Sequence, residues 1–356
     1  MRCPAVPFFI SHQGCPHQCV FCDQKFITGA EGALPSAADM LARIAEWRRS
    51  AGNRPVEVAF FGGTFTSLPR SVMAGLLEPL QALLADGVVA SVRISTRPDA
   101  LDAECCRYLA DHGVTTVELG VQSMDDNVLC QAGRGHDAQA VVKSVSLLRE
   151  AGMAVGIQLM PGLPGDSPEL AFGSFQRALA LQPDFFRIYP TLVIAGTLLA
   201  EMYRRGAYQP LTLDEAIRIC KIMLRESLAS STPIIRMGLQ ATDELSAGAV
   251  LAGPYHPAFR QLVESELFHD LAILLVRDMP KDSPVTLRCA PGRVADLVGQ
   301  QRSNIVRLRS ECGINVAAVI GDMTIARTSL VAESAGLARA GDCVADLKYS
   351  IGGFTN

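Results

Sequence analysis

Short runs of β-branched and aromatic residues recur along the chain, separated by longer stretches in which apolar residues return every three or four positions. The short runs read as buried strands and the longer stretches as amphipathic helices. Strands are expected over residues 6–11, 56–61, 89–95, 116–121, 155–160 and 185–189, with helices over 37–50, 69–84, 102–112, 138–151 and 170–181. In the first helix Ser36 is the natural N-cap, and Met40, Ile44 and Trp47 fall on one apolar face. Alternation of strand and helix, with strands apolar almost throughout, implies right-handed βαβ units and a parallel sheet. Six such units before about residue 230 point to an α/β fold, a full or partial (β/α) barrel. A doubly wound open sheet satisfies the same periodicity.

Polar, glycine-rich segments fall just after the expected strands: Gly62-Gly63-Thr64, Thr96-Arg97-Pro98, Gln122-Ser123, Gly162-Leu163-Pro164-Gly165 and Pro190-Thr191. A parallel β/α fold gathers its site at that edge of the sheet. Near residue 280 the character changes. Pro280, Lys281, Asp282, Ser283 and Pro284 read as a linker, so a core over 1–279 and a small module over 280–356 are expected. The module reads as a strand over 285–289, helices over 293–298 and 304–311 flanking a turn, and two more strands.

Composition narrows the function classes. Of 356 residues, 49% are hydrophobic and 19% charged, the profile of a globular protein with a large core. The net charge of -4 gives no chain-wide field for nucleic acid or anionic membrane, so any RNA contact has to be local. No run reaches the roughly 20 apolar residues of a membrane span, and the N-terminus lacks the pattern of a secretory signal. A cytoplasmic location is expected. The eleven cysteines then read as core thiols or metal ligands and not as a disulfide framework.

Three of them, Cys15, Cys19 and Cys22, stand within eight residues on the loop after the first strand. Thiolates are soft ligands for zinc or iron–sulfur clusters. A structural zinc site needs four protein ligands, and here the fourth would be His12, His17 or Cys3, none at a familiar zinc spacing. Three thiols suit a four-iron cluster with one iron open to an exogenous ligand. The Cys-x3-Cys-x2-Cys spacing, with Phe21 before the last cysteine, resembles the signature of the radical S-adenosylmethionine (radical SAM) superfamily.

That resemblance implies a partial (β/α)6 TIM-type barrel, a [4Fe–4S] cluster on Cys15, Cys19 and Cys22, and S-adenosylmethionine cleaved reductively to a 5′-deoxyadenosyl radical. It implies an electron donor such as flavodoxin or ferredoxin. By the same resemblance Gly62, Gly63 and Thr64 meet the methionine amino group of the cofactor, and Phe21 lies beside the adenine. Arg97 and Arg134 offer forked cations for a carboxylate, and Ser95, Gln122 and Gln158 offer polar groups for ribose. Gln158 departs from the acidic residue common at this place in relatives such as oxygen-independent coproporphyrinogen oxidase.

A narrower resemblance runs over roughly residues 5–270, through Phe186-Arg187-Ile188-Tyr189-Pro190-Thr191, Arg236-Met237-Gly238-Leu239-Gln240 and Gly253-Pro254-Tyr255-His256. It is to the radical-SAM half of the Elongator catalytic subunit and its bacterial relatives. That subunit spaces its first two cysteines more widely. The hundred residues after His256 show no acetyl-CoA pyrophosphate loop, so its acetylation chemistry is not carried over. Tyr189, Arg187 and His256 are the candidates for the substrate side. The C-terminal module resembles a KH domain, whose Gly-x-x-Gly loop clamps a nucleic-acid backbone. Arg302 stands where the second glycine would be, and Arg302, Arg307 and Arg309 make the turn locally basic. The expectation is a radical SAM enzyme acting on an RNA base, in tRNA. A small metabolite or protein residue as substrate, a metal-bearing RNA-binding protein without catalysis, and a lid or dimerisation role for the module are the alternatives.

Overall fold

The computed structural model describes residues 3–10, 15, 17–22, 34–239 and 248–349. Ser11, His12, Gly14, Pro16 and Gln240, which belong to the motifs above, lie outside them. The chain divides into two compact units, one of residues 1–211 and 239–254, the other of residues 212–238 and 255–356.

The first unit carries the strands β1 (Ala5–Phe9), β2 (Val56–Phe61), β3 (Val89–Thr96), β4 (Val114–Gln122), β5 (Ala154–Leu159) and β6 (Phe185–Ile188), each paired in parallel with the next. Helices separate them: α1 (Ala37–Ser50), α2 (Arg70–Leu77), α3 (Gln81–Ala85), α4 (Ala103–Asp111), α5 (Asp126–Gln131), α6 (Ala138–Glu150) and α7 (Pro168–Ala180). This is the partial barrel expected from the alternation. Each long helix starts where a short polar side chain caps it, Ser36 accepting from the Asp39 amide, Asp102 from Cys105, Asp137 from Ala140 and Ser167 from Leu170. The helix expected over 69–84 is broken into α2 and α3 by a 3-10 turn at Glu78–Leu80, because Pro79 has no amide to continue the ladder. Met40 and Ile44 are buried as expected, whereas Trp47 is exposed, one turn beyond the part of α1 that covers the sheet. Phe8, Phe60 and Phe65 pack ring against ring at 5.3–5.8 Å under the cysteine loop's end of the sheet. The unit is completed by β7 (Val193–Ile194) and α8 (Leu198–Arg204).

In the second unit α9 (Leu213–Ser230) opens on a capping box of Thr212 and Glu215. It is followed by β8 (Ile234–Met237), and β9 (Val250–Ala252) pairs back with β7 in the first unit's own two-stranded ribbon. Then come α10 (Phe259–Val276), β10 (Val285–Cys289), α11 (Val294–Val298), α12 (Ser303–Cys312), β11 (Val316–Gly321), β12 (Ser329–Ser334) and β13 (Leu337–Asp342). The sheet order is β11-β10-β12-β13, with β10 and β11 parallel and the other pairs antiparallel. Three strands follow α12 where two are expected. The contacts also divide the chain elsewhere than at the 279/280 linker. The buried face of α10 packs on α9 and on α11, α12, β12 and β13, so the helix before the linker is part of the same core as the sheet after it.

Candidate active site at the strand ends

The cysteine loop is docked by backbone. The Val20 amide donates to the Ala132 carbonyl at 3.1 Å, the Leu199 amide donates to the Val20 carbonyl at 2.7 Å, and Cys22 closes a turn on Cys19. Close approach explains the glycines opposite. Gly135 has φ +71°, and a Cβ there would sit 2.5 Å from the His17 ring. At the end of β2, Gly62 and Gly63 take φ +76° and +59° in succession, a path that costs an L side chain strain at both positions. They lead to Thr64, which is buried with its hydroxyl 3.3 Å from the Cys15 sulfur.

Arg134 is the site's most telling side chain. It is 5% exposed, and its Nη1 donates to the Cys19 Sγ at 3.1 Å while Nη2 donates to the Gly120 carbonyl. Its Nε is buried with no partner, and no carboxylate pairs with it among the described residues. A buried guanidinium facing sulfur is stable only if negative charge gathers there. Thiolates carrying an iron–sulfur cluster supply that charge, so the donor set fits the group that the spacing implies. Arg97 behaves otherwise. Its fork is filled by Asp99, at 2.9 and 2.8 Å, and by the Arg134 carbonyl. Burial alone would raise the Asp99 carboxyl, but Arg97 outweighs it and holds the group below its usual range. The two arginines expected to serve a carboxylate are thus divided, one tied to Asp99 and one aimed at Cys19.

Gln122, buried at φ +71°, accepts from Gln158 Nε2 at 3.2 Å, so the two amides expected near ribose are brought together. Ser95 is half-buried on β3, beside a 2.6 Å contact between the Thr66 and Thr96 hydroxyls. Phe21 is half-buried and packs against two buried clusters, one of Val128, Ala132 and Leu163 and one of Val193, Leu199, Ala200 and Tyr208. The Gly162–Gly165 turn is pinned by Tyr208, which donates to the Gly162 carbonyl at 2.5 Å, and by Asp166, which accepts from the Gly162 amide at 2.8 Å. Burial pushes the Asp166 carboxyl up to about 6. His136, after Arg134, is pushed down to about 4 by burial first and then by the Arg134 charge.

Arg187 and Tyr189 come together as expected. Arg187 donates Nε to the Tyr189 hydroxyl oxygen at 2.8 Å, and its Nη2 points at the same oxygen. Sequence reasoning missed what lies behind them. Arg187 Nη1 donates to Glu118, whose other oxygen accepts from Arg93 Nη1 at 2.8 Å, and Arg93 in turn makes two 3.1 Å bonds to Glu57. The signal was present: one charged residue of alternating sign in each of the apolar runs of β2, β3, β4 and β6. The ring of Phe185 stacks under Arg93 and fills the space beside Gly156, where a Cβ would meet it at 2.2 Å.

His256 lies in the second unit, where its Nδ1 accepts from the Ala258 amide at 3.1 Å just before α10. The arginines of the C-terminal turn are not alike. Arg302 and Arg309 are exposed, while Arg307 is tied to Glu266 at 2.6 Å and Glu311 at 3.1 Å. Gln301 and Arg302 follow Gly299 with φ of +50° and +63°, a strained turn between α11 and α12. Glu266, His269 and Asp270 bring ligand atoms within 4.8 Å of one another. Lys221, 2.5 Å from Asp270, and Arg307 already neutralise both carboxylates, so the group is an ion-pair network and not an open cation site.

Comparison with known proteins agrees with this geometry. The model of the radical SAM superfamily matches residues 9–171, and that of the Radical_SAM C-terminal domain matches residues 183–269. The chain belongs to the radical SAM superfamily. It is therefore one of a family of enzymes that bind a [4Fe–4S] cluster and S-adenosylmethionine. It is 30% identical over 254 residues to the tRNA uridine(34) acetyltransferase of Methanocaldococcus jannaschii, covering 60% of this chain and 47% of that protein. It is 31% identical over 196 residues to Elongator complex protein 3 of Dictyostelium discoideum, covering 49% and 35%. Among solved structures, the archaeal Methanocaldococcus infernus Elp3 with an N-terminal deletion superposes with a TM-score of 0.59 at 25% identity, over 74% of this chain and 62% of that one. The chain spans about half or less of the length of these curated relatives. Among the described residues no helix is long and apolar enough to cross a membrane.

Proposed function

We propose that this radical SAM enzyme modifies a base of RNA, in tRNA, and works in the cytoplasm with flavodoxin or ferredoxin as electron donor. Cys15, Cys19 and Cys22 hold the cluster. Gly62, Gly63 and Thr64 meet the methionine end of S-adenosylmethionine, Phe21 its adenine, and Ser95, Gln122 and Gln158 its ribose. Arg134 balances the charge of the thiolates and of the cofactor carboxylate, and Arg97, its fork filled by Asp99, holds the Arg134 backbone. Tyr189 and Arg187 face the substrate, and Arg302 and Arg309 of the KH-like module contact RNA, Arg307 being taken up by Glu266 and Glu311. When bound, the cluster supplies the electron that cleaves S-adenosylmethionine to a 5′-deoxyadenosyl radical.

The observation that carries the reading is the buried Arg134 guanidinium 3.1 Å from the Cys19 sulfur. The likeness to tRNA uridine(34) acetyltransferases over 60% of the chain supports the choice of substrate. The test is anaerobic reconstitution followed by dithionite and S-adenosylmethionine, with and without bulk tRNA. Four irons and four sulfides per chain and formation of 5′-deoxyadenosine, stimulated by tRNA, are expected. Cys19→Ala should lose both the iron and the nucleoside. A fully loaded protein that forms no 5′-deoxyadenosine overturns the enzymatic reading, and cleavage indifferent to tRNA overturns the substrate.

A further inference from the structure

The charged residues of β2, β3, β4 and β6 form one continuous ladder, Glu57–Arg93–Glu118–Arg187, that ends on the Tyr189 hydroxyl. Among the described residues Glu118 alone touches both arginines, and its side chain is only 4% exposed. Each of its oxygens takes one guanidinium, so it cannot turn without breaking an ion pair. Arg187 in turn lies over the Phe61 and Tyr189 rings, its Cζ 5.3 and 5.1 Å from their centres.

We propose that Glu118 is a positioning residue of the substrate side, holding Arg187, and through it the Tyr189 phenol, in a single place at the end of β6. The inference rests on the reading that Tyr189 faces the substrate. Among the described residues the Tyr189 phenol is the other hydrogen-bond partner of Arg187, so without Glu118 the guanidinium is free to swing toward water, taking the phenol's two hydrogen bonds with it. Arg93 and Glu57 fix the far oxygen of Glu118, which makes the device a rigid one built on strands and not on loops.

The test uses the reconstituted holoenzyme with 13C-labelled tyrosine, the Tyr189 resonance being assigned by its loss in Tyr189→Phe. In Glu118→Gln Arg187 is released and the phenol loses the hydrogen bonds that fix it, so the Tyr189 resonance should broaden and move toward the shift of a solvent-exposed tyrosine. A Tyr189 resonance as narrow and as placed as in the wild type overturns the proposal. The second readout is the ratio of 5′-deoxyadenosine formed with bulk tRNA to that formed without it. E118Q should bring the ratio down at least tenfold toward unity, and the double variant E118Q/Y189F should be no worse than Y189F alone, because Glu118 acts through Tyr189. A purely structural role predicts equal losses in both arms, an unchanged ratio and additive effects. If E118Q does not fold, Arg187→Lys, which keeps the charge but cannot bridge Glu118 and Tyr189 with a planar fork, should lower the ratio in the same way, and a wild-type ratio in R187K overturns the proposal. A wild-type enzyme indifferent to tRNA would sink the substrate reading alone, since the Tyr189 resonance decides the positioning role without any substrate.

Discussion

His136 follows the arginine that faces Cys19, and its environment makes a pH signature. Burial and the Arg134 charge hold its imidazole near 4, against about 6.5 in an unfolded chain. The folded protein therefore resists protonation that the unfolded chain accepts. The stability this contributes is complete above pH 6.5 and is lost as pH falls from 6.5 toward 4. A neutral replacement, His136→Gln, removes the penalty. Unfolding by denaturant at pH 7 and pH 4.5 should show the variant gaining about 1–2 kcal/mol on the wild type between the two, a figure reduced for the partial exposure of the ring. Equal slopes for both proteins would show that His136 is protonated in the fold. The same side chains explain what the sequence could and could not announce. Cys15, Cys19, Cys22 and the Gly62–Gly63 turn were legible because their spacing is local. The division of labour between Arg97 and Arg134 was not, because Asp99 and Cys19 compete for the two forks only once β3, β4 and the cysteine loop are brought together.

At the scale of elements, the six parallel strands and most of the longer helices of the first unit were legible to within two residues, since these helices have their own caps and each strand its own apolar run, whereas the short α5, β7 and α8 were not expected. Among the other departures, the Pro79 break is local chemistry, while the exposed Trp47 and the third strand after α12 are decided by packing. The charge ladder was hidden because a lone Glu or Arg in a strand reads as an edge residue until its neighbours are known. Gly156 shows how tightly that neighbourhood is filled. Gly156→Ala would drive a Cβ into the Phe185 ring, between the strands that carry Gln158 and Arg187. Overpacking of this kind costs about 1–3 kcal/mol, and denaturant unfolding should find a loss in that range. In the second unit the Thr212–Glu215 capping box makes a separate prediction. Thr212→Ala should lower stability by about 1 kcal/mol, and a change below a few tenths would mean that α9 is held by packing alone.

For the molecule as a whole, a net charge of -4 means that RNA is not gathered by a general field, so affinity has to come from a few placed cations. The turn between α11 and α12, with α12 itself, offers three, but the structure separates them into two kinds. Arg302 and Arg309 are exposed, and Arg302 takes a strained left-handed backbone conformation just before α12. Arg307 is spent inside the fold, bridging Glu266 on α10 and Glu311 on its own helix, and these acids raise its pKa further. If the module contacts tRNA, each of Arg302→Ala and Arg309→Ala should weaken binding and reduce the slope of log affinity against log salt by about 0.7–0.9, one phosphate contact's share. Arg307→Ala should leave the slope as it is. It should instead lower the unfolding free energy by about 1 kcal/mol or more, because Glu266 would be left beside Asp270 with Lys221 as the cation that remains between them. Filter binding across a salt series, paired with denaturant unfolding of the same three variants, separates the two kinds of arginine. A slope that falls as much for R307A as for R302A would show that the Glu266 pair opens on binding, and that this turn rearranges around its RNA instead of receiving it preformed.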